Sequence, residues 1–166
     1  MPRYTSPFSI AVGVLAALVA FAGSSAQAKT KTKSHYYASA IESAPVSTGS
    51  GYPGVGGTAV LVGTWTTLRF GNGALVDYVT VTGHPTPATF TFKGTEIAYV
   101  SRGTFTDTFT GTATVRSNGS QNVVTRGRVI SGTGAYRGAT GRFRFTGATA
   151  PGSSVLSGQS AGTLSY

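Results

Sequence analysis

From position 58 onward, hydrophobic and polar residues alternate with the period of two that is typical of β-strands. In GTFTDTFTGTATV, residues 103–115, one face carries Phe105, Asp107 and Phe109, and the other carries threonine at every second position. Turn residues recur at short intervals, and no stretch shows a sustained helical period of 3.6. The pattern predicts an all-β domain with antiparallel strands near 58–70, 75–82, 88–93, 95–101, 103–116, 122–130, 141–147 and 154–166.

The number of predicted strands bears on the expected architecture. Eight strands in one short chain favour a single antiparallel β-barrel over residues 58–166, because closure of a sheet removes its exposed edges. A β-sandwich is the alternative. The preceding segment, residues 29–57, is rich in Lys, Ser, Gly and Pro. It is expected to be a flexible leader with one short strand near 36–41.

The first hairpin of this domain can be given a register. Asn72-Gly73 predicts a two-residue type I′ loop, because both residues tolerate positive φ, and such a loop places Leu68 opposite Asp77. Asp77 therefore shares the more apolar face of the hairpin, which is expected to point inward and carries Val60, Val62, Leu68, Phe70, Leu75, Val79 and Val81. The face expected to meet solvent carries Trp65, Arg69, Val76 and Tyr78.

Asp77 and Asp107 are two of the four acidic residues, and both are predicted to point inward. A buried carboxylate either raises its pKa or finds a cationic or hydrogen-bonding partner. In one interpretation each belongs to the scaffold at a barrel mouth. In the other, both form the polar floor of a ligand cavity and are candidate catalytic acids or bases. The aromatic residues expected to line that cavity are Phe105, Phe109, Phe143 and Phe145.

The stretch RVISGTGAYRGATGRFRFTG, residues 128–147, crowds glycines before an alternation of Arg and Phe. A dinucleotide-binding loop would lead into a helix, whereas this alternation predicts a strand. The stretch is interpreted as a turn between two strands, with structural roles for Gly132, Gly134, Tyr136, Gly138 and Gly141. Small Thr125 and Gly127 are expected to make room for Phe143 and Phe145 across the strands.

The same two strands place four arginines on their outer face: Arg126, Arg128, Arg142 and Arg144. Like charges directly opposite each other destabilise a strand pair, so either the register staggers them or an anionic partner offsets the repulsion. A solvated basic face and a contact with an anionic glycan or lipid are both open. Nucleic acid is not expected, because the aromatic stacking platform of single-strand binders is missing.

The glycine-rich stretch also resembles the motif of the allene oxide cyclase barrel-like and dirigent-like superfamily. The matched residues are Gly132, Thr133, Gly134, Tyr136, Ala139 and Gly141. TFTDTFTGTATV before it and GQSAGTLSY after it fit the same layout, so the resemblance spans residues 58–166. It implies an eight-stranded antiparallel barrel, often oligomeric, whose apolar cavity orients a fatty-acid epoxide or phenolic radicals. The cysteine of the cyclase pocket has no counterpart here.

The N-terminal segment predicts export. A short start with one basic residue, the apolar run 8–23 and the small-residue pattern Ala26-Gln27-Ala28 are typical of a secretory signal peptide, residues 1–28, cut after Ala28. An uncleaved anchor is the alternative, although the run is shorter than the roughly 20 residues that span a bilayer. The expected location is secreted or periplasmic.

The net charge and the composition limit the kinds of molecule that the protein is expected to bind. The chain has a net charge of +9 and no cysteine, and loss of Arg3 with the signal peptide leaves +8. A basic exported domain suits anionic polymers or surfaces. His35 and His84 lie in no ligand cluster, so no metal and no cofactor are expected.

Three functions therefore stay open. The first is binding of a small apolar, aromatic or phenolic ligand in the barrel. The second is an isomerase, cyclase or dirigent-like enzyme that orients a reactive substrate there. The third is a structural protein that contacts an anionic envelope polymer through its arginines.

Overall fold

The computed structural model describes the backbone of residues 33–43 and the backbone and side chains of residues 54–166. These residues contain the strands β1 Lys33–Ser43, β2 Thr58–Thr67, β3 Gly71–Thr86, β4 Thr89–Val100, β5 Gly103–Val115, β6 Gln121–Gly132, β7 Thr140–Thr149 and β8 Leu156–Ser165. One turn of 3₁₀ helix, Gly134–Tyr136, joins β6 to β7. The prediction of an all-β fold is confirmed.

The strands from β2 to β8 form one curled antiparallel sheet, in which each strand pairs with the next along the chain. The backbone of β1 pairs with β2 and also with β8. β1 contains the strand predicted near 36–41 and is longer at both ends. The predicted signal peptide, residues 1–28, lies outside the described residues.

The two strands predicted at 88–93 and 95–101 are a single strand, β4. The gap between the two predicted ranges is Gly94, which lies within the ladder, opposite Phe109 of β5. A side chain at Gly94 would overlap the Phe109 ring. The glycine therefore makes room for an aromatic ring and does not mark a turn.

The predicted register of the β2–β3 hairpin is wrong. Thr67 pairs with Gly71 and Thr66 with Asn72, so the chain turns at residues 68–70 and Asn72-Gly73 belongs to β3. Gly71 supplies the left-handed backbone, with φ at 73°. The Phe70 N–H donates a hydrogen bond to Thr67 Oγ1 at 2.7 Å inside this turn. A longer turn closed by one positive-φ glycine is a common alternative to the two-residue loop.

This shift reverses the predicted face of β2. Trp65 is buried, whereas Val62 and Leu68 are exposed. On β3 the predicted face is correct, because Leu75, Asp77 and Val81 are buried. The reason is packing: the indole of Trp65 covers Gly73 on the inward side, where a side chain at position 73 would collide with it.

The core contains several pairs of an aromatic ring and a facing glycine. The ring of Phe92 covers Gly111, that of Phe109 covers Gly94, and that of Phe143 covers Gly127. Thr125 and Gly127 lie directly opposite Phe145 and Phe143, as the sequence predicted. The space that each glycine leaves on one strand is thus filled by an aromatic ring from the neighbouring strand.

Candidate functional site

Three carboxyl groups lie side by side on the inward face of the sheet. Asp77 of β3 is directly opposite Glu96 of β4, and Glu96 is directly opposite Asp107 of β5. Facing residues in an antiparallel ladder have Cβ atoms roughly 4.5–5.5 Å apart. Asp77 and Asp107 are 5 % and 4 % exposed, and Glu96 is half-buried. We call these three residues the carboxyl row.

The predicted inward placement of Asp77 and Asp107 is confirmed, but the sequence reasoning missed Glu96. The predicted strand at 95–101 contains Glu96 but separates it from residues 88–93, so the alternation along the whole of β4 is lost. The signal was present, since Phe92, Gly94, Glu96 and Ala98 follow one another at every second position. Phe92 and Ala98 are buried, so the whole series shares the inward face.

Burial, and after it the negative charge of Glu96, raise the pKa of Asp107 to about 9. The Asp107 carboxyl therefore holds its proton at neutral pH and can donate a hydrogen bond. Its Oδ1 atom has no hydrogen-bond partner among the described residues. Beside it, β6 carries one extra residue, Ile130, between the partners of Thr106 and Asp107. Such bulges are common next to functional sites.

The aromatic residues predicted to line a cavity take part in core packing. Phe105, Phe109 and Phe145 belong to the buried core cluster, and Phe143 is partly buried against it. The Phe92 and Phe109 rings meet edge to face, with centroids 6.2 Å apart. Within residues 54–166, no group of three or more His, Asp or Glu side chains is placed to hold a metal ion.

The four predicted arginines form a compact exposed patch on β6 and β7. Arg126 lies directly opposite Arg144, and Arg128 directly opposite Arg142; all four are exposed. The register therefore does not stagger them, which removes one of the two alternatives that the sequence left open. We call these four residues the arginine face.

Nothing on the neighbouring strands neutralises the arginine face. Thr108 and Thr110 flank it on β5, and Ala161 and Thr163 flank it on β8. Lys93 extends the row beyond Thr110. Within residues 54–166 the only acidic side chains are those of the carboxyl row, which point inward, whereas every Arg and Lys of that range is exposed.

The glycine-rich turn leads directly into the arginine face. Gly134 and Gly138 have positive φ, at 59° and 77°, which suits glycine. Gly132 and Gly141 instead allow close approach, because a side chain would meet the carbonyl of Tyr136 or of Thr163. Tyr136 is 4 % exposed. The predicted turn is confirmed in place, and its glycines fix the connection between the two arginine-bearing strands.

Comparisons with known proteins return no relative. No protein-family model, no curated protein and no solved structure matches the chain. In the described part of the chain, no helix is both long and apolar enough to cross a membrane.

Proposed function

We propose that this protein is an exported binding protein whose arginine face holds an anionic polymer of the cell envelope. The observation that carries the proposal is the pairing of Arg126 with Arg144 and of Arg128 with Arg142. Like charges directly opposite each other cost a strand pair up to about 1 kcal/mol relative to neutral residues. A polyanion laid across the pairs would turn that repulsion into attraction.

The spacing of the arginine face suits a linear ligand. Neighbouring strands lie about 4.8 Å apart, and alternate residues of one strand are about 6.8 Å apart. A chain of phosphate or carboxylate groups running along β6 and β7 would therefore meet a pair of guanidinium groups at each step. Guanidinium groups can bind such oxyanions with two parallel hydrogen bonds.

We also propose that the functional form is a closed eight-stranded barrel of the allene oxide cyclase-like type. The pairing of the β1 backbone with both β2 and β8 supports closure, and the glycine turn between β6 and β7 supports the family. A closed barrel would hold the arginine face on a stiff surface. The signal-peptide pattern in residues 1–28 supports delivery to the envelope.

Binding of fluorescently labelled polyphosphate tests the polymer proposal. R128Q/R142Q should weaken binding about tenfold, because each lost contact between exposed charges contributes up to about 1 kcal/mol. R116Q/R137Q is the matched control, since it removes the same charge from exposed positions outside the arginine face. Equal weakening by both pairs would show a general charge effect and overturn the proposal.

A second candidate function is ligand binding inside the sheet, and the carboxyl row favours it. A protonated Asp107 would donate a hydrogen bond to a carbonyl or phenolic oxygen in an apolar setting. Titration with the neutral fluorophore N-phenyl-1-naphthylamine should then saturate near one site per chain, with displacement by phenols or fatty acids. Absence of saturable binding would exclude this candidate.

An enzymatic version of that candidate uses the same residues as acid or base. It predicts that D77N or D107N abolishes product while the circular dichroism spectrum of the folded protein is kept. Product formation unchanged in both variants would exclude a catalytic role for the two carboxyls.

A further inference from the structure

A groove of about 350 Å³ opens at one end of the sheet, and no residue of the arginine face lines it. It lies where the β2–β3 turn, the β4–β5 turn, the 3₁₀ turn and the end of β8 come together. Arg69, Phe70, Arg102, Tyr136 and Tyr166 form most of its lining. The mouths of β-sheet barrels are common places for small-molecule sites, and this volume falls at the lower end of the usual range of 300–1,000 Å³.

The groove carries two positive charges and no carboxylate among its lining side chains. Arg69 and Arg102 come from different turns, and both are exposed. Arg69 Nε donates a hydrogen bond to the Tyr166 hydroxyl at 3.0 Å, and its guanidinium carbon lies 5.7 Å from the centre of the Tyr166 ring. This contact uses one of the five N–H donors of Arg69 and orients the rest of the group.

Aromatic rings form the other wall of the groove, and they pack against one another. Tyr136 meets Phe70 edge to face with centroids 5.5 Å apart, and it meets Tyr166 in the same way at 5.2 Å. Its other neighbour is Phe105, at 4.4 Å. Tyr136 is almost fully buried and Tyr166 is half-buried, so Tyr136 supports the wall and holds the Tyr166 ring in place before any ligand arrives.

The turn that carries Arg102 is also fixed. The Ala135 N–H donates to the Arg102 carbonyl at 2.9 Å, and the Thr104 N–H donates to Thr133 Oγ1 at 3.0 Å. Gly103 packs so closely against the Thr133 carbonyl that a side chain there would collide with it. The backbone of Arg102 is therefore tied to the 3₁₀ turn that supplies Tyr136.

We propose that this groove binds a small aromatic carboxylate. The carboxylate would lie between Arg69 and Arg102, and the ring would rest against Tyr166, which the buried Tyr136 supports. Two cationic side chains beside a preformed aromatic wall favour a ligand that has both a carboxylate and a ring. A carboxylate without a ring would leave the aromatic wall uncovered, and a neutral aromatic molecule would leave the guanidinium groups unpaired. The site is independent of the arginine face and adds a small-molecule ligand to the polymer proposed above.

Calorimetric titration with 2-naphthoate tests the site, with 2-naphthalenemethanol as the neutral analogue and acetate as the non-aromatic one. One molecule of naphthoate should bind per chain, at least about tenfold more tightly than either analogue. R69Q and R102Q should each weaken naphthoate binding by a similar factor, and R116Q should leave it unchanged. All three positions are exposed, and unchanged thermal unfolding would confirm that the variants fold.

Two results would overturn this inference: equal affinity for naphthoate and its alcohol, or equal loss in R69Q, R102Q and R116Q. Y166L keeps a large apolar side chain but removes the ring and the hydroxyl that orients Arg69, and it should weaken binding as well. R128Q/R142Q should bind naphthoate like the unaltered protein. This last variant separates the groove from the arginine face, because the failure of one proposal leaves the other standing.

Discussion

Asp107 is a carboxyl group in surroundings that favour its neutral form. Across the ladder it faces Glu96 on β4 and Val129 on β6, and Asp77 lies one strand further from it, opposite Glu96. No cation faces it from the described strands β3 to β6, because Lys93, Arg126 and Arg128 of these strands are exposed. A raised pKa is the physical consequence of burial next to another acid.

The raised pKa predicts how stability depends on pH. The pKa of Asp107 is about 9 in the folded protein, compared with its ordinary value of 3.8, so the unfolded chain loses this proton first as pH rises. The contribution of Asp107 to the free energy of unfolding should therefore be fully present below about pH 4. Between pH 4 and 9 this contribution should fall by up to about 1.4 kcal/mol per pH unit.

Urea unfolding at pH 5, 7 and 8.5 measures this dependence. D107N keeps the shape of the protonated side chain but cannot ionise, so its unfolding free energy should vary less with pH over the same interval. The same slope in D107N and in the unaltered protein would contradict a raised pKa at this position.

At the level of elements, the sequence predicted the strands because alternation survives wherever one face is buried. For β5 and β7 the predicted faces are correct, since Thr or Arg occupies every second position from Thr104 to Thr114 and from Arg142 to Thr146. The sequence-based prediction of strands and faces failed at positions where a glycine makes room for an aromatic ring. Gly94 within β4 and Gly73 opposite Trp65 are spaces for rings contributed by another strand, and a local pattern does not show which ring fills them.

The Asn72-Gly73 prediction failed for a related reason. The dipeptide is a strong local signal for a hairpin loop, but a loop there would put Trp65 on the outer face. Burial of the indole favours the observed register, since a large aromatic side chain contributes about 1.5–3 kcal/mol on burial. Tertiary packing therefore determines the register of the β2–β3 hairpin, and a short stretch of sequence contains no information about that packing.

The pairing of rings with glycines makes a prediction at Gly111. A side chain at this position would meet the Phe92 ring and the Thr125 methyl group, both on side chains. Gly111→Ala should lower the unfolding free energy by about 1–3 kcal/mol, as overpacking does. Gly54→Ala is the control, because nothing lies close to that position.

A second substitution at Phe92 tests whether contact with its ring causes the destabilisation by G111A. Combining G111A with Phe92→Leu should cost less than the sum of the two single changes, since the smaller side chain leaves room for the new methyl group. Strict additivity in denaturant unfolding would contradict a direct contact between positions 92 and 111.

At the scale of the molecule, the side-chain charges of the described domain are separated by the sheet itself. The acidic side chains lie on its inward side and the basic side chains of its strands are exposed on its outward side. The remaining basic residues lie in the connections between strands: Arg69, Arg102, Arg116 and Arg137. The sequence indicated the four arginines and two of the three inward acids, but not the direct opposition of the arginines, because that depends on the β6–β7 register. The groove could not be predicted, since its lining comes from four separate turns and strand ends.

The salt dependence of polyphosphate binding tests the central claim most directly. Four arginine contacts with a flexible polyanion predict that log K falls with log salt with a slope of about −3, because each contact releases roughly 0.7 of a counterion. In R128Q/R142Q the slope should shrink to about −1.5, and in R116Q/R137Q it should stay near −3. A slope that is the same in all three proteins would contradict the assignment of polymer binding to the arginine face.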